Sequence, residues 1–393
     1  MVNADTDIAI IGGGPVGVAL ALALRKSHIR VTVLEASAKG TIGTGDPRPI
    51  ALSHGSRLLL ERLGAWRGLN PTAINNIHVS QGGGFGRVAI SAADAGVPSL
   101  GYVVNYKDIF MSLSEAARSA HNDHNDHSAH SDYREGARAT ALHRDGDVQR
   151  IAYTRDGAVA SITARLVVVA DGGNIEGLAP PKTIAYAQHA LTACVSTTLP
   201  HKQVAYERFT REGPLALLPF GDEISLVWTL PSARAEELKD AGTKPFLAAL
   251  REAFGGRLGD FIRVTQRACY PLTLRYTANA APGVVTIGNA AQTLHPVAGQ
   301  GFNLGLRDAW ELAQLLRTTP VQTLSDNETL RHYRGSRRMD RGASVAATHG
   351  LVRLFSNDFM PLNAARGVGM TLLGCIAPAR NFLARRMIFG ARG

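Results

Sequence analysis

The segment Asp7–Glu35 constrains the fold more than any other part of the chain. Asp7–Ile11 is an apolar run, Gly12-Gly13-Gly14-Pro15-Val16-Gly17 follows it, Val18–Arg25 is rich in Ala and Leu, and Arg30–Leu34 alternates before Glu35. Period-two text on either side of a helical run predicts a strand–turn–helix–strand unit. Gly12-x-Gly14-x-x-Gly17 then reads as a dinucleotide fingerprint, and each glycine has a task. Gly12 allows the tight turn, Gly14 lets a pyrophosphate approach the backbone, and Gly17 lets the helix pack on the strand. Pro15 and Val16 complete this turn as cofactor contacts, and the turn opens a helix whose N-terminal N–H groups attract phosphate. Glu35, at the end of the second strand, can accept both ribose hydroxyls of an adenosine. Its charge argues against a 2′-phosphate there.

The fingerprint alone does not separate FAD from NAD. A second segment, Gly288–Asp308, reads GNAAQTLHPVAGQGFNLGLRD and follows a buried strand that ends at Ile287. Glycines at 299 and 301 allow a flat ligand close to the backbone. A helix begins near Phe302 and Asn303, so its N–H groups can stabilise negative charge on a ring. A reduced flavin carries such charge, whereas a plain NAD dehydrogenase has no need of this second site.

Between these segments the text is mostly β. A hairpin is predicted over Ile77–Ile90, and a helix over Lys107–Ala120. Strands are predicted at Ala139–His143, Gln149–Thr154, Ala158–Ala164 and Leu166–Ala170, and one helix near Arg234–Glu252. The Asp-Gly pairs at Asp145-Gly146 and Asp156-Gly157 are hairpin turns. The expected fold class is α/β. A Rossmann-like FAD-binding domain is assembled from residues 1–75, 102–182 and 275–345. A β-sheet substrate domain is inserted as 76–101 and 183–274, and 346–393 form a C-terminal helical region. A chain of 393 residues accommodates this.

The three cysteines, Cys194, Cys269 and Cys375, lie far apart. They exclude a disulfide scaffold and a cysteine zinc site, and suit a reducing cytoplasm. Asp5 and Asp7 precede the first apolar run, so no signal peptide is expected. The longest apolar windows, Val16–Leu24 and Gly367–Ala379, are too short to span a membrane.

Three elements together carry a resemblance. They are the Gly12–Gly17 fingerprint with Glu35, the Val167-Val-Val-Ala-Asp171-Gly172 segment, and the Gly288–Asn303 segment. They resemble the FAD-dependent aromatic hydroxylases of the para-hydroxybenzoate hydroxylase type. Within that family the 288–308 string is similar to the ubiquinone-biosynthesis branch, most nearly the 2-octaprenyl-6-methoxyphenol hydroxylase group. Arg48-Pro-Ile-Ala-Leu-Ser53, Glu207-Arg-Phe-Thr, Gly213–Pro219 and Gly350–Asn357 agree with that branch.

The resemblance implies an FAD monooxygenase in which NADH or NADPH reduces the flavin and O2 forms a C4a-hydroperoxide. The implied substrate is a polyprenylated methoxyphenol. Arg48 would lie near the pyrophosphate, or else be a surface arginine. Asp171 and Gly172 would contact FAD through their turn, or Asp171 only shapes the turn. The usual Gly-Asp pair of the wider family is Gly288-Asn289 here, and an asparagine still bonds a ribityl hydroxyl. Gln292 stands where many relatives have histidine. Pro296, Gly299, Gly301, Phe302 and Asn303 complete the flavin loop. His295, beside Pro296, is the candidate proton carrier, or a packed loop residue. Asp308 and Arg307 read as structural.

Other classes remain open: a halogenase or polyprenyl reductase on the same scaffold, or a non-catalytic assembly component. The His-rich 121–132 stretch reads as an exposed loop insertion without a functional metal, and Gly82–Gly86 as a turn. Arg331–Gly393 holds eleven arginines, no lysine and two acids, nearly all of the net +10. Arginines with Leu372, Ile376, Phe382 and their apolar neighbours suit peripheral contact with an anionic inner-membrane surface or a lipid-carrying complex. No nucleic-acid partner is expected.

Overall fold

The computed structural model describes residues 4–38, 48–84, 86–121, 131–171, 175–277, 281–293, 300–338, 371–372 and 374–390, with single residues at 342, 367 and 369. The first half runs β1 (Thr6–Ile11), α1 (Pro15–Leu24), β2 (Val31–Glu35), β3 (Pro49–Ser53), α2 (His54–Arg62), β4 (Thr72–Ile74), β5 (Asn76–Gln81), β6 (Arg87–Ser91), α3 (Ala92–Ala95), β7 (Gly101–Asn105) and α4 (Tyr106–His121). Then come β8 (Ser131–Glu135), β9 (Arg138–Asp145), β10 (Val148–Arg155), β11 (Ala158–Val169), β12 (Lys182–Thr197), β13 (Val204–Phe209), β14 (Pro214–Phe220) and β15 (Glu223–Pro231). Next are α5 (Ser232–Asp240), α6 (Thr243–Phe254), β16 (Phe261–Val264), β17 (Ala268–Tyr276), β18 (Val284–Thr286), β19 (Gln292–Thr293) and α7 (Gln300–Arg317). Residues 327–338 are helical, and a C-terminal helix spans Ala377–Phe389.

The first sheet has the order β8-β2-β1-β11-β10-β9, with β18 also paired to β11. Strands β8, β2, β1, β11 and β18 are parallel. The inner strands β2, β1, β18 and the second half of β11 are covered on both faces, which is why their sequences are largely apolar, whereas the edge strand β8 is polar. Ile8, Ile10, Leu166 and Val168 pack with Leu20 and Leu24 of α1 and Leu312 of α7. Ala9, Ile11, Val167 and Val169 pack on the other face with Leu142 and Ile151. Helix α1 lies between the sheet and α4 and α7, and is apolar on nearly every side. Burying each leucine there contributes roughly 1.5–3 kcal/mol.

The second sheet has the order β19-β17-β12-β15-β14-β13-β5-β6, with β16 on β12. Its outer face carries α5 and α6, with Leu238 and Phe246 packed over Leu191, Leu226 and Trp228. Its inner face meets a three-stranded sheet, β3-β7-β4, through Ala205, Ile74 and Val103. Gln292–Thr293 joins the second sheet although it stands within the 275–345 stretch that the sequence assigns to the cofactor layer.

Three local expectations are corrected. The separate strands Ala158–Ala164 and Leu166–Ala170 are one strand, β11, that changes partners along its length. Arg165 reads as a break, but its guanidinium reaches Asp7 at 4.0 Å while the backbone stays in the ladder. The helix near Arg234–Glu252 is two helices, because the first ends at Ala241 and Gly242 caps the second. Pro245 sits in that second helix's first turn, where a missing N–H costs nothing. The stretch 121–132 is not wholly loop. His121 ends α4, and Ser131 and Asp132 pair with Val31 and Thr32 as part of β8; 122–130 lie outside the described residues.

Candidate active site

The C-terminal ends of β1, β2 and β11 converge where an open parallel sheet binds ligands. Gly12 leaves β1 with φ +104, and its N–H donates to the Leu34 carbonyl at 2.8 Å. A Cβ at Gly12 would stand 2.6 Å from the Asp171 Cβ, so Asp171, at the end of β11, lies directly against this turn. A Cβ at Gly17 would stand 2.0 Å from the Gly12 carbonyl oxygen, which is the close helix–strand packing that the third glycine permits. A Cβ at Gly14 meets nothing within 4 Å. Among the described residues nothing in the packing therefore requires glycine there, and the space is open to a ligand.

Gly14 is the N-cap of α1 and has no side chain to satisfy the helix's first N–H groups, and Pro15 occupies the first turn. Val16 packs beneath two further glycines. A Cβ at Gly288 would be 3.2 Å from Val16 Cγ1, and one at Gly305 2.9 Å from Val16 Cγ2. The phosphate turn and the second glycine segment are thus in contact.

Glu35 is 8% exposed. Its Oε2 accepts the Gly13 N–H at 2.6 Å and its Oε1 accepts the Ser37 N–H at 2.7 Å. A carboxylate has about four acceptor positions, so both oxygens keep capacity for ribose hydroxyls.

The second segment is braced from behind. Gly288 turns with φ +57 and donates its N–H to Asp308 Oδ2 at 3.1 Å. Asp308 Oδ1 accepts Arg337 Nε at 2.7 Å, both side chains 1% exposed, and Arg337 Nη1 reaches Glu311 at 2.9 Å. Asp308 is structural, as its sequence suggests. Asn289, one residue on, is exposed.

Helix α7 enters beside β3. The Asn303 side chain, 2% exposed, accepts the Ser53 N–H at 2.8 Å and donates to the Ala51 carbonyl at 2.9 Å. One amide thus makes both bonds that a neighbouring parallel strand would make. The side chain is thus engaged by β3, and the residue stands in the first turn of α7, the element whose N–H groups the sequence offers to a ring. A Cβ at Gly301, two residues earlier, would meet no atom of the described residues within 4 Å. The Phe302 ring meets Tyr106 edge-on at 6.2 Å.

Arg48 is exposed, and its guanidinium lies 4.7 Å from the centre of the Tyr270 ring on β17. It therefore links the cofactor layer to the second sheet. Gly172, His295, Pro296 and Gly299 lie outside the described residues. Tyr106 and Tyr270 were missed in the sequence. Their only signal is an aromatic at a strand end or in alternating strand text.

The residues fit an FAD. Glycines whose added side chains would meet nothing mark the mouths of both α1 and α7, and an acid ends β2. The FAD binding domain family matches residues 5–346. The ubiquinone hydroxylase UbiL of Rhodospirillum rubrum is 33% identical, over 96% of this chain and 88% of its own. The 3-demethoxyubiquinol 3-hydroxylase of Escherichia coli is 31% identical, over 94% and 95%. The crystal structure of p-nitrophenol 4-monooxygenase PnpA from Pseudomonas putida DLL-E4 superposes with a TM-score of 0.75 at 17% identity, covering 99% of both chains.

Proposed function

The chain belongs to the FAD binding domain family and is a flavoprotein monooxygenase, and we propose that it hydroxylates a polyprenylated methoxyphenol in ubiquinone biosynthesis. NADH or NADPH is the reductant in this reading, and O2 the oxygen source. The observation that carries it is the pairing of two glycine mouths, at Gly14 and Gly301, with the Glu35 carboxylate between β2 and the phosphate turn. The two ubiquinone-precursor hydroxylases named above support the substrate class.

When bound, the flavin supplies activated oxygen. The protein's own residues do the rest. The first turn of α1 holds the pyrophosphate, and Glu35 takes the ribose. Asp171 stands at the phosphate turn. The first turn of α7 presents backbone N–H groups to negative charge on the ring system. We assign 1–75, 102–182 and 275–345 to FAD binding, 76–101 and 183–274 to substrate binding, and 346–393 to a C-terminal region.

The C-terminal helix and the residues just before it support delivery from a lipid surface. Ala384 and Ile388 pack into the protein, whereas Leu372, Ile376 and Phe382 are 54%, 49% and 64% exposed. The Arg386 guanidinium lies 5.7 Å from the Phe382 ring. Among the described residues no helix is long and apolar enough to cross a membrane. Surface contact is the form this reading takes.

The test is turnover of a short-chain methoxyphenol by the FAD-loaded protein under labelled dioxygen. One labelled oxygen atom in the product, with NAD(P)H consumed, is expected. Halogenated or hydrogenated product, or no phenol-dependent NAD(P)H oxidation, would overturn the reading.

A further inference from the structure

The inner face of the second sheet carries an acid that the site described above does not use. In register across the sheet, Val79, Glu207, Ala216, Val227 and Thr192 form one row. Glu207 is its only ionisable member. On the same strand, Tyr206 and Arg208 point the other way: Tyr206 meets Phe254 of α6, and Arg208 bonds the Ala253 carbonyl. Ala205 and Phe209 flank Glu207 on its own face. Ala205 packs on Ile74 and Val103 of the three-stranded sheet, and Phe209 on Val88 and the C-terminal helix. Glu207 therefore faces the cofactor layer. Tyr270 lies on the same face, beneath Arg48.

Among the described residues no hydrogen bond or ion pair reaches the Glu207 carboxylate, although part of the residue remains exposed. Its row neighbours on β5 and β14, Val79 and Ala216, and the facing Ile74 and Val103 carry no charge. An unpaired carboxylate on an apolar face is costly unless something from outside pairs with it. Burial pushes this carboxyl up to about 7. A base tuned close to ambient pH is the most effective one for moving a proton.

We propose that Glu207 receives the ring hydroxyl of the phenol substrate and takes up its proton. This rests on the monooxygenase reading above and names the residue that would recognise the reacting hydroxyl. The phenol O–H bond breaks and a carboxyl O–H bond forms. The electron pair stays on the phenol oxygen and raises electron density at the ortho and para ring carbons, where an electrophilic oxygen must attack. No electrons leave the substrate in this step.

The experiment uses the full FAD-loaded chain with a short-chain methoxyphenol and its methyl ether. Binding is read from the change in flavin absorbance. Wild type should bind the phenol about tenfold tighter than the ether, the scale of one hydrogen bond to a charged group. Glu207→Leu should retain FAD, bind the ether as wild type does, and lose that preference. Glu207→Gln keeps an acceptor but cannot take a proton. It should bind the phenol within a few fold of wild type and turn over about 100-fold more slowly. Should Glu207→Leu fail to fold, Glu207→Gln carries the test. An unchanged phenol preference in the leucine variant, or turnover within threefold in the glutamine variant, overturns the proposal. If wild type turns over the phenol and the variants match it, only this inference falls. If wild type binds no phenol, the monooxygenase reading falls with it.

Discussion

The Asp308 carboxylate accepts the Gly288 N–H at 3.1 Å and so ties the turn after β18 to the middle of α7. The same carboxylate holds the buried Arg337 guanidinium. Its removal would take one carboxylate partner from a cation in the core and leave Glu311 as the other.

Asp308→Ala should therefore destabilise the protein by about 3–5 kcal/mol, the cost of breaking a buried pair. Chemical denaturation measures it. Flavin affinity should fall as well, because Gly288 loses its anchor. A change below about 1 kcal/mol would show that Glu311 alone suffices for Arg337.

Gly14→Val and Gly17→Ala should fail in different ways. At Gly14 a side chain meets no protein atom, so Gly14→Val should fold and lose FAD. At Gly17 a Cβ would stand 2.0 Å from the Gly12 carbonyl oxygen, so even alanine should destabilise the fold. Circular dichroism with FAD titration separates the two. A Gly14→Val protein that binds FAD as wild type does would remove the phosphate assignment.

Asn303→Asp should cost about 1–3 kcal/mol, because aspartate cannot donate to the Ala51 carbonyl and leaves that group unpaired. Thermal unfolding of the two proteins checks this. Equal stability would mean that the β3 edge needs no support from α7.

Glu207 should give stability a definite slope with pH. Its carboxyl rises from 4.5 to about 7 in the folded state, so the folded protein binds that proton more tightly than the unfolded chain. The favourable contribution is complete below about pH 4.5 and is lost as pH rises through 7. Relative to Glu207→Gln, wild type should lose roughly 3 kcal/mol across that window. Urea denaturation at several pH values gives the difference. A flat difference would mean that the carboxyl titrates normally.

The lipid-surface reading is best tested by point changes. Truncation would expose the core under Ala384 and Ile388. Leu372→Ser with Phe382→Ser should leave stability nearly unchanged and weaken sedimentation with anionic vesicles. Added salt should weaken wild-type binding, since arginine–headgroup attraction is screened. Neutral and anionic vesicles binding alike would exclude the electrostatic part.

What could be read from the sequence is what depends on neighbours along the chain. The phosphate turn is legible because glycine's conformational freedom and the strands around it are local properties. Asp308 could be read as a structural acid, but not its bonds to Gly288 and Arg337, which lie 20 and 29 residues away. The continuity of β11 could not, because Arg165 looks like an interruption until Asp7 is placed beside it. The helix start near Asn303 is local and legible, but the engagement of its side chain with β3 is not, because it depends on a contact 250 residues away. Glu207 is an ordinary residue in its strand. Only the cross-strand register reveals that it stands alone on an apolar face.

The Asn303 amide also has a consequence for how the protein is made. Ser53 leaves the ribosome 250 residues before the side chain that will close its strand edge. At about 5–20 residues per second that interval is roughly 12–50 s. Throughout it the nascent chain carries an open β edge, the kind of template on which chains pair wrongly. A trigger-type holding factor on the emerging chain should raise the yield of native protein, and slowed translation between the two positions should lower it.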